Sequence, residues 1–83
     1  MVVTFKLYAG LSDYLPKGAR DNRCDIEVGA DESVAEVIER FHLPPKLVHL
    51  VLVNGAFVPP AERATRRLAP ADHLAIWPPI AGG

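Results

Sequence analysis

The sequence predicts an α+β fold in which one main helix packs on one face of a mixed sheet of about five strands. Three observations lead to this prediction. Several short segments carry apolar residues at every second position, one segment carries them every three or four positions, and an Asn-Gly pair separates two apolar runs. Alternation is typical of half-buried strands, the longer period of an amphipathic helix, and Asn-Gly of a tight hairpin.

The first half of the chain contains two predicted strands and the helix. Alternating apolar residues predict strands over residues 2–8 and 24–28, and turn-forming residues predict a loop over 9–23. The strands are therefore expected to be antiparallel neighbours. A helix of about ten residues should begin near Asp31 or Ser33, either of which can cap it, and it should end before Pro44. Its apolar face is formed by Val34, Val37, Ile38 and Phe41.

The second half predicts a hairpin followed by a last strand. Residues 47–53 are almost wholly apolar and predict a buried strand, joined by Asn54-Gly55 to a short strand over 56–58. Residues 61–71 are a polar connection, with one helical turn at 61–65, and 73–77 form the final strand. A strand, strand, helix, hairpin, strand order lets the first and last strands lie side by side. This is the β-grasp layout.

Length and composition allow one small core. The 83 residues are 49% hydrophobic and carry a net charge of −1, so we expect one domain over 1–83 with an extended tail at 78–83. The balanced charge indicates neither nucleic-acid nor membrane binding. A lone Cys24 excludes an internal disulfide, and no apolar run matches a membrane span. We therefore expect a soluble cytoplasmic protein.

The C-terminal segment is the most unusual part of the sequence. Pro78 and Pro79 lack backbone donors and have a fixed φ, so they predict a stiff stem after the last strand. Gly82 and Gly83 predict a thin, flexible tip. Such a shape suits the insertion of a C-terminal carboxylate into the narrow site of another protein. The alternative is a frayed chain end that happens to contain glycines.

The last strand and tail, residues 72–83, resemble the ending of molybdopterin synthase small subunits. Those endings have an acidic turn, a short apolar strand, an aromatic residue, Pro-Pro, two small or apolar residues and Gly-Gly. Residues 51–55, with the sequence VLVNG, add to the resemblance. The related sulfur carrier of thiamine biosynthesis also ends in Gly-Gly but typically lacks the double proline. The resemblance identifies a ubiquitin-like sulfur carrier.

The resemblance implies the chemistry. An activating enzyme of the ubiquitin-activating type would use ATP to adenylate the carboxylate of Gly83, with Gly82 beside it, and a sulfur donor would convert the adenylate to a thiocarboxylate. The protein would then be a co-substrate rather than an enzyme, with no bound cofactor or metal. Its partners would be that enzyme and a synthase large subunit or another sulfur acceptor.

Two aromatic residues are predicted to lie at the root of the tail. If Val3, Phe5 and Leu7 face the helix, then Tyr8 and Trp77 project from the opposite face of two neighbouring strands. Exposed aromatic residues suit a protein interface. We therefore expect partner contacts from the set Tyr8, Trp77, Pro78, Pro79, Ile80 and Ala81. The alternative is that Trp77 caps one end of the core.

Other candidate residues have simpler interpretations. His42, His49 and His73 lack ligand-like spacing, and Cys24 is expected to pack as a small hydrophobic residue. Arginines at 63, 66 and 67 form either a solvated loop or a docking patch for an acidic partner.

Three alternative functions remain open. These are sulfur transfer to thiazole formation or to another route, conjugation to lysines as a ubiquitin-like modifier, and a plain β-grasp interaction module.

Overall fold

The computed structural model describes residues 1–79 and contains five strands and one α-helix in that range. The strands and the helix, in chain order, are β1 (Val2–Leu7), β2 (Arg23–Glu27), α1 (Val34–Arg40), β3 (Leu50–Val53), β4 (Ala56–Phe57) and β5 (His73–Trp77). Their lateral order in the sheet is β2-β1-β5-β3-β4. β1 and β5 are parallel, whereas β1–β2, β5–β3 and β3–β4 are antiparallel. The mixed sheet with one main helix confirms the predicted fold class and the pairing of the terminal strands.

The core lies between the sheet and α1. Val3, Phe5 and Leu7 of β1 are fully buried, and the Phe5 ring lies 4.9 Å from that of Phe41 at the end of the helix. Burial of each such side chain stabilises the fold by about 1.5–3 kcal/mol. A helix of seven residues is too short to be stable alone, so its stability comes from this packing.

Both ends of α1 have a local cause. The Oγ of Ser33 accepts the Glu36 N–H at 3.2 Å, and a Glu36 carboxylate oxygen accepts the Ser33 N–H at 2.9 Å, which together form a capping box. Of the two predicted caps, the structure therefore uses Ser33. The helix ends at Arg40, and His42 adopts a φ of +60°. The helix is consequently shorter than the predicted ten residues.

Several predicted boundaries are wrong. The predicted loop over 9–23 contains a 3₁₀ helix at Ala9–Tyr14, because Leu11 is fully buried and anchors the segment to the core. β3 begins at Leu50 rather than at residue 47, since Pro45–Leu47 forms a 3₁₀ turn with proline at its start. The turn predicted over 61–65 lies at Pro60–Glu62. β2 is shifted one residue towards the N-terminus, to Arg23–Glu27.

Candidate functional site

The end of β5 is held by the residue that follows β1 and the residue that precedes β3. The Tyr8 N–H donates to the carbonyl oxygen of Ile76 at 3.1 Å, and the His49 N–H donates to that of Trp77 at 3.1 Å. Pro78 has no N–H with which to continue this pattern. The segment that leads to the C-terminus therefore starts from a fixed point on the sheet.

The rings of Tyr8 and Trp77 are stacked at this fixed point. Their centroids are 4.3 Å apart and their planes differ by 4°. Ile76 is fully buried on the helix side, so Trp77 lies on the outer face of the sheet, as the alternation predicts. The structure thus brings the two aromatic residues together as expected. Because each ring covers one face of the other, the pair presents a combined surface, with a stacking contribution of about 0.5–1.5 kcal/mol.

The outer face continues from the aromatic pair onto β3 and β4. Leu50 lies opposite Trp77 in the register, and Leu52 lies opposite both Ala75 and Phe57. We name as the outer patch the side chains of Tyr8, Leu50, Leu52, Phe57 and Trp77; Ala75 lies on the same face but is buried. At 56% exposure, Phe57 is the most exposed of the large hydrophobic side chains in residues 1–79. An apolar surface of this kind is typical of a protein interface.

The sequence pattern alone did not predict the part of the outer patch on β3 and β4. Residues 47–53 are almost wholly apolar, which hides the fact that only Val51 and Val53 are buried whereas Leu50 and Leu52 are half-buried on the other face. The sequence did contain a signal for this part of the patch, because the Asn54-Gly55 turn fixes which residues of β3 and β4 are paired. A two-residue turn places Leu52 opposite Phe57, and side chains opposite each other share a face.

An apolar notch adjoins Trp77 at the root of the tail. Its walls are formed by His49, Leu50, Trp77 and Pro78. Pro78 is half-buried, and Pro79 is exposed. These positions make both prolines available to a partner that contacts the outer patch, although their predicted role in binding stays a prediction.

The outer face of β1 and β2 is mostly polar, apart from the exposed Val2 at the start of β1, and bounds the patch. The hydroxyl of Thr4 donates to a carboxylate oxygen of Asp25 at 3.0 Å, and Arg23 and Glu27 are exposed on the same strand as Asp25. The outer face is therefore divided into an apolar half next to the tail and a charged half away from it.

The arginine cluster has a structural member. The Arg63 guanidinium donates to the carbonyl oxygens of Val58 at 3.3 Å and His49 at 3.2 Å, and partial burial lowers its pKa. Arg66 and Arg67 are exposed. The structure thus separates Arg63, which braces two loops, from the exposed Arg66 and from Arg67, whose guanidinium donates to the nearby carbonyl oxygens of Ala64 and Thr65.

The same connection covers the start of α1. The N–H groups of Val34 and Ala35 donate to the carbonyl oxygens of Arg66 and Arg63, both at 2.9 Å. These donors would otherwise be free at a helix N-terminus. Because they are satisfied, they do not form an anion site.

The remaining candidates are Cys24, possible metal ligands and the last four residues of the chain. Cys24 is half-buried against the core, and no group of three His, Cys, Asp or Glu side chains in residues 1–79 converges as a metal site would require. No helix in the described part of the chain is long and apolar enough to cross a membrane. Ile80, Ala81, Gly82 and Gly83 lie outside the described residues, so their predicted roles stay predictions.

Comparison with known families decides the assignment of the chain. The sequence model of the ThiS family matches residues 17–83, a stretch that includes the last strand and the Gly82-Gly83 pair. The chain belongs to the ThiS family. This result confirms the resemblance to ubiquitin-like sulfur carriers. No curated protein matches the sequence of this ThiS-family member.

Solved structures with the same fold come from an archaeon and a bacterium. The Haloferax volcanii HVO 2177 protein has a TM-score of 0.77 at 22% identity, over 100% of this chain and 87% of that one. Small archaeal modifier protein 1 of H. volcanii has a TM-score of 0.67 at 20% identity, over 95% and 98%. A chain of the complex of subunits 1 and 2 of molybdopterin-converting factor from Helicobacter pylori has a TM-score of 0.62 at 12% identity, over 100% of both chains. At these identities the likeness is one of fold, and the fold is the ubiquitin-like β-grasp.

Proposed function

We propose that this ThiS-family protein is a sulfur carrier that acts as the small subunit of a molybdopterin synthase. Its Gly83 carboxylate would be adenylated, converted to a thiocarboxylate and used to deliver sulfur to a pterin precursor. The observation that carries the proposal is the position of Trp77 at the foot of the Pro78-Pro79 stem. Its carbonyl oxygen accepts the His49 N–H, its ring stacks on Tyr8, and it forms part of the outer patch. The likeness to a chain of the H. pylori complex supports the choice of pathway.

The proposed chemistry requires activation by a second protein. A terminal carboxylate has a pKa of about 3.5 and is therefore ionised and a poor electrophile at neutral pH. Attack of its oxygen on the α-phosphorus of ATP releases pyrophosphate and forms an acyl-adenylate. A sulfur nucleophile then displaces AMP at the carbonyl carbon. The carrier itself supplies the carboxylate and its position, and it needs no acid, base or metal of its own.

Partner binding would use the outer patch and the stem together. An activating enzyme or a sulfur acceptor must hold the folded part of the carrier while the tail reaches a reactive centre. The stacked pair of Tyr8 and Trp77 offers a rigid aromatic anchor, and such anchors contribute most of the free energy of binding in many interfaces. Leu50, Leu52 and Phe57 enlarge this surface. Pro78, Pro79, Ile80 and Ala81 would contact the entrance to the partner's site.

A protein-modifier function is the second candidate. Its support is the fold likeness to small archaeal modifier protein 1. A modifier would pass the same activated acyl group to a lysine amine and form an amide, whereas a carrier passes it to sulfur. Sulfur transfer to thiazole formation or another route would use the same thiocarboxylate with a different acceptor.

The test is intact-mass analysis after co-expression with an adenylating enzyme. In a Cys24→Ala background, which removes the one thiol side chain of the protein, we expect the carrier to acquire a C-terminal thiocarboxylate that reacts with a thiol-selective label, which separates the sulfur product from an oxidised chain. In the same background, variants that lack Gly83, or that carry an extra alanine after it, should remain unlabelled, and an unchanged melting temperature checks that each variant keeps its fold.

A second measurement distinguishes the two candidates. Gly-Gly remnants on lysines of other proteins, lost when Gly83 is deleted, would favour the modifier. Labelling that persists in the variant with the extra alanine, without trimming of the tail, would contradict the carrier assignment.

A further inference from the structure

The side chain of Asn54 is held at both ends. Its Nδ2 donates to Oδ1 of Asp72 at 2.7 Å, and its Oδ1 accepts the backbone N–H of His73 at 2.8 Å. The other carboxylate oxygen of Asp72 accepts the N–H of Ala69 at 2.8 Å, and Asp72 is only 9% exposed. We name this set of contacts the turn clasp, because it joins the β3–β4 turn to the start of β5.

Asn54 is followed by glycine, the neighbour that makes an asparagine most prone to deamidation. The backbone nitrogen of the next residue can attack the side-chain Cγ, and glycine offers no Cβ to hinder the approach. Gly55 is exposed, and no heavy atom lies within 4 Å of the point where a Cβ would stand. Water and a reorienting side chain therefore have access to the turn.

The reaction has two steps. The Gly55 nitrogen forms a bond to Cγ of Asn54 and loses its proton, and the Cγ–Nδ2 bond breaks to release ammonia, which leaves a cyclic imide. Water then opens the imide at one of its two carbonyl carbons. The product is aspartate in one case and isoaspartate in the other.

We propose that Asn54 is a latent deamidation site that Asp72 holds in check. For ammonia to leave, the hydrogen bond from Nδ2 of Asn54 to the Asp72 carboxylate must break. Cγ must also turn towards the Gly55 nitrogen, and this turn breaks the hydrogen bond that Oδ1 of Asn54 accepts from the His73 N–H. The reaction therefore proceeds from the fraction of molecules in which the turn clasp is open. Loss of one hydrogen bond to a charged group should raise that fraction about tenfold, equivalent to about 1.4 kcal/mol.

Deamidation would prevent the clasp from closing again. An aspartate at position 54 would lack the N–H that donates to Asp72, and it would place a second negative charge beside the Asp72 carboxylate. An isoaspartate would also add a methylene group to the backbone of a turn in which residues 54 and 55 have φ values of +51° and +82°. The product should therefore have a loosened connection between β3 and β5.

The test follows deamidation of the full-length folded protein at mildly alkaline pH. Trypsin cleavage after Lys46 and Arg63 releases the peptide 47–63, in which Asn54 is the only asparagine. Mass spectrometry of this peptide gives the extent of reaction at Asn54, and its chromatographic splitting separates aspartate from isoaspartate. Asn22, which is followed by Arg23, is the internal reference for a slow site.

The variants separate the clasp from general destabilisation. Asp72→Ala should deamidate about tenfold faster than the wild type, and wild type unfolded in urea should react faster still. Ser33→Ala removes the cap of α1, which lies away from the turn, and should leave the deamidation rate of the folded protein nearly unchanged.

Two results would overturn the proposal. One is an acceleration in Ser33→Ala equal to that in Asp72→Ala, and the other is a folded wild type that reacts as fast as the unfolded chain. If Asp72→Ala fails to fold, then Asp72→Asn, which keeps the size but not the charge, replaces it. An unchanged rate in the replacement would likewise count against control by the carboxylate.

Discussion

The guanidinium of Arg63 donates a hydrogen bond to the carbonyl oxygen of His49, at 3.2 Å. The N–H of the same His49 donates to the carbonyl oxygen of Trp77. The connection that covers the start of α1 is thereby linked through one residue to the root of the tail. Arg63, which the sequence places either in a solvated loop or in a docking patch, thus contributes to the position of the candidate site.

Arg63→Ala should lower the free energy of unfolding by about 1 kcal/mol, because two carbonyl oxygens lose a charged donor while water replaces part of that loss. Urea denaturation provides the measurement. The matched control is Arg66→Ala, since Arg66 is exposed and its replacement should change stability by less than about 0.5 kcal/mol. Equal effects of the two variants would show that Arg63 is not a brace.

Trp77→Ala should weaken binding to the activating enzyme or to a synthase large subunit by about 2 kcal/mol, as expected for an aromatic anchor. Stability should also fall, because the stack with Tyr8 is lost. Titration calorimetry and thermal unfolding measure the two effects separately. Tyr8→Phe, which retains the stacked ring, serves as the control and should bind nearly normally. An unchanged affinity together with a large loss of stability would assign Trp77 to the core.

Phe57→Ser should weaken partner binding by about 1 kcal/mol or more while changing the free energy of unfolding by less than about 0.5 kcal/mol, since the side chain is mostly exposed. Val2→Ser is the matched control, because Val2 is 47% exposed but lies outside the outer patch. Surface plasmon resonance with an immobilised partner compares the two variants. Equal affinities would restrict the interface to the root of the tail.

Stability in acid should depend on Glu36. The pKa of Glu36 lies below its ordinary value of 4.5, mainly because the carboxylate accepts a hydrogen bond from the Ser33 N–H. The hydrogen bond with the Ser33 side chain lowers it further. A carboxylate with a lowered pKa in the folded state adds stability above its unfolded pKa, and this stability is lost as the pH falls through the folded value. The advantage of wild type over Glu36→Gln should therefore be complete near pH 6 and shrink below about pH 4.5. Chemical denaturation across this range provides the test, and a constant difference would contradict it.

Much of the fold was predictable because local signals agreed with the tertiary structure. Asn54-Gly55 requires positive φ at both turn positions and has it, and Ser33 is placed to cap the helix as predicted. The segment after β1 was not predictable, because its turn-forming residues conceal one buried leucine, Leu11, whose burial depends on packing from distant strands.

The candidate site was predictable only in part. Alternation along β1 and β5 placed Tyr8 and Trp77 on one face, since a period of two needs only the strand direction. The contribution of Phe57 required knowledge of which strands adjoin which, and the role of Arg63 required the positions of two loops. Such contacts depend on the folded arrangement, and a single sequence carries little information about them.

The outermost strands of the sheet affect how an exposed apolar patch is tolerated. β4 has only two residues, and β2 carries exposed Arg23, Asp25 and Glu27. Short or charged edges offer little template for the addition of another chain, which is the usual route from an open sheet to aggregates. The outer patch can therefore stay uncovered between partners without drawing copies of the protein into growing sheets.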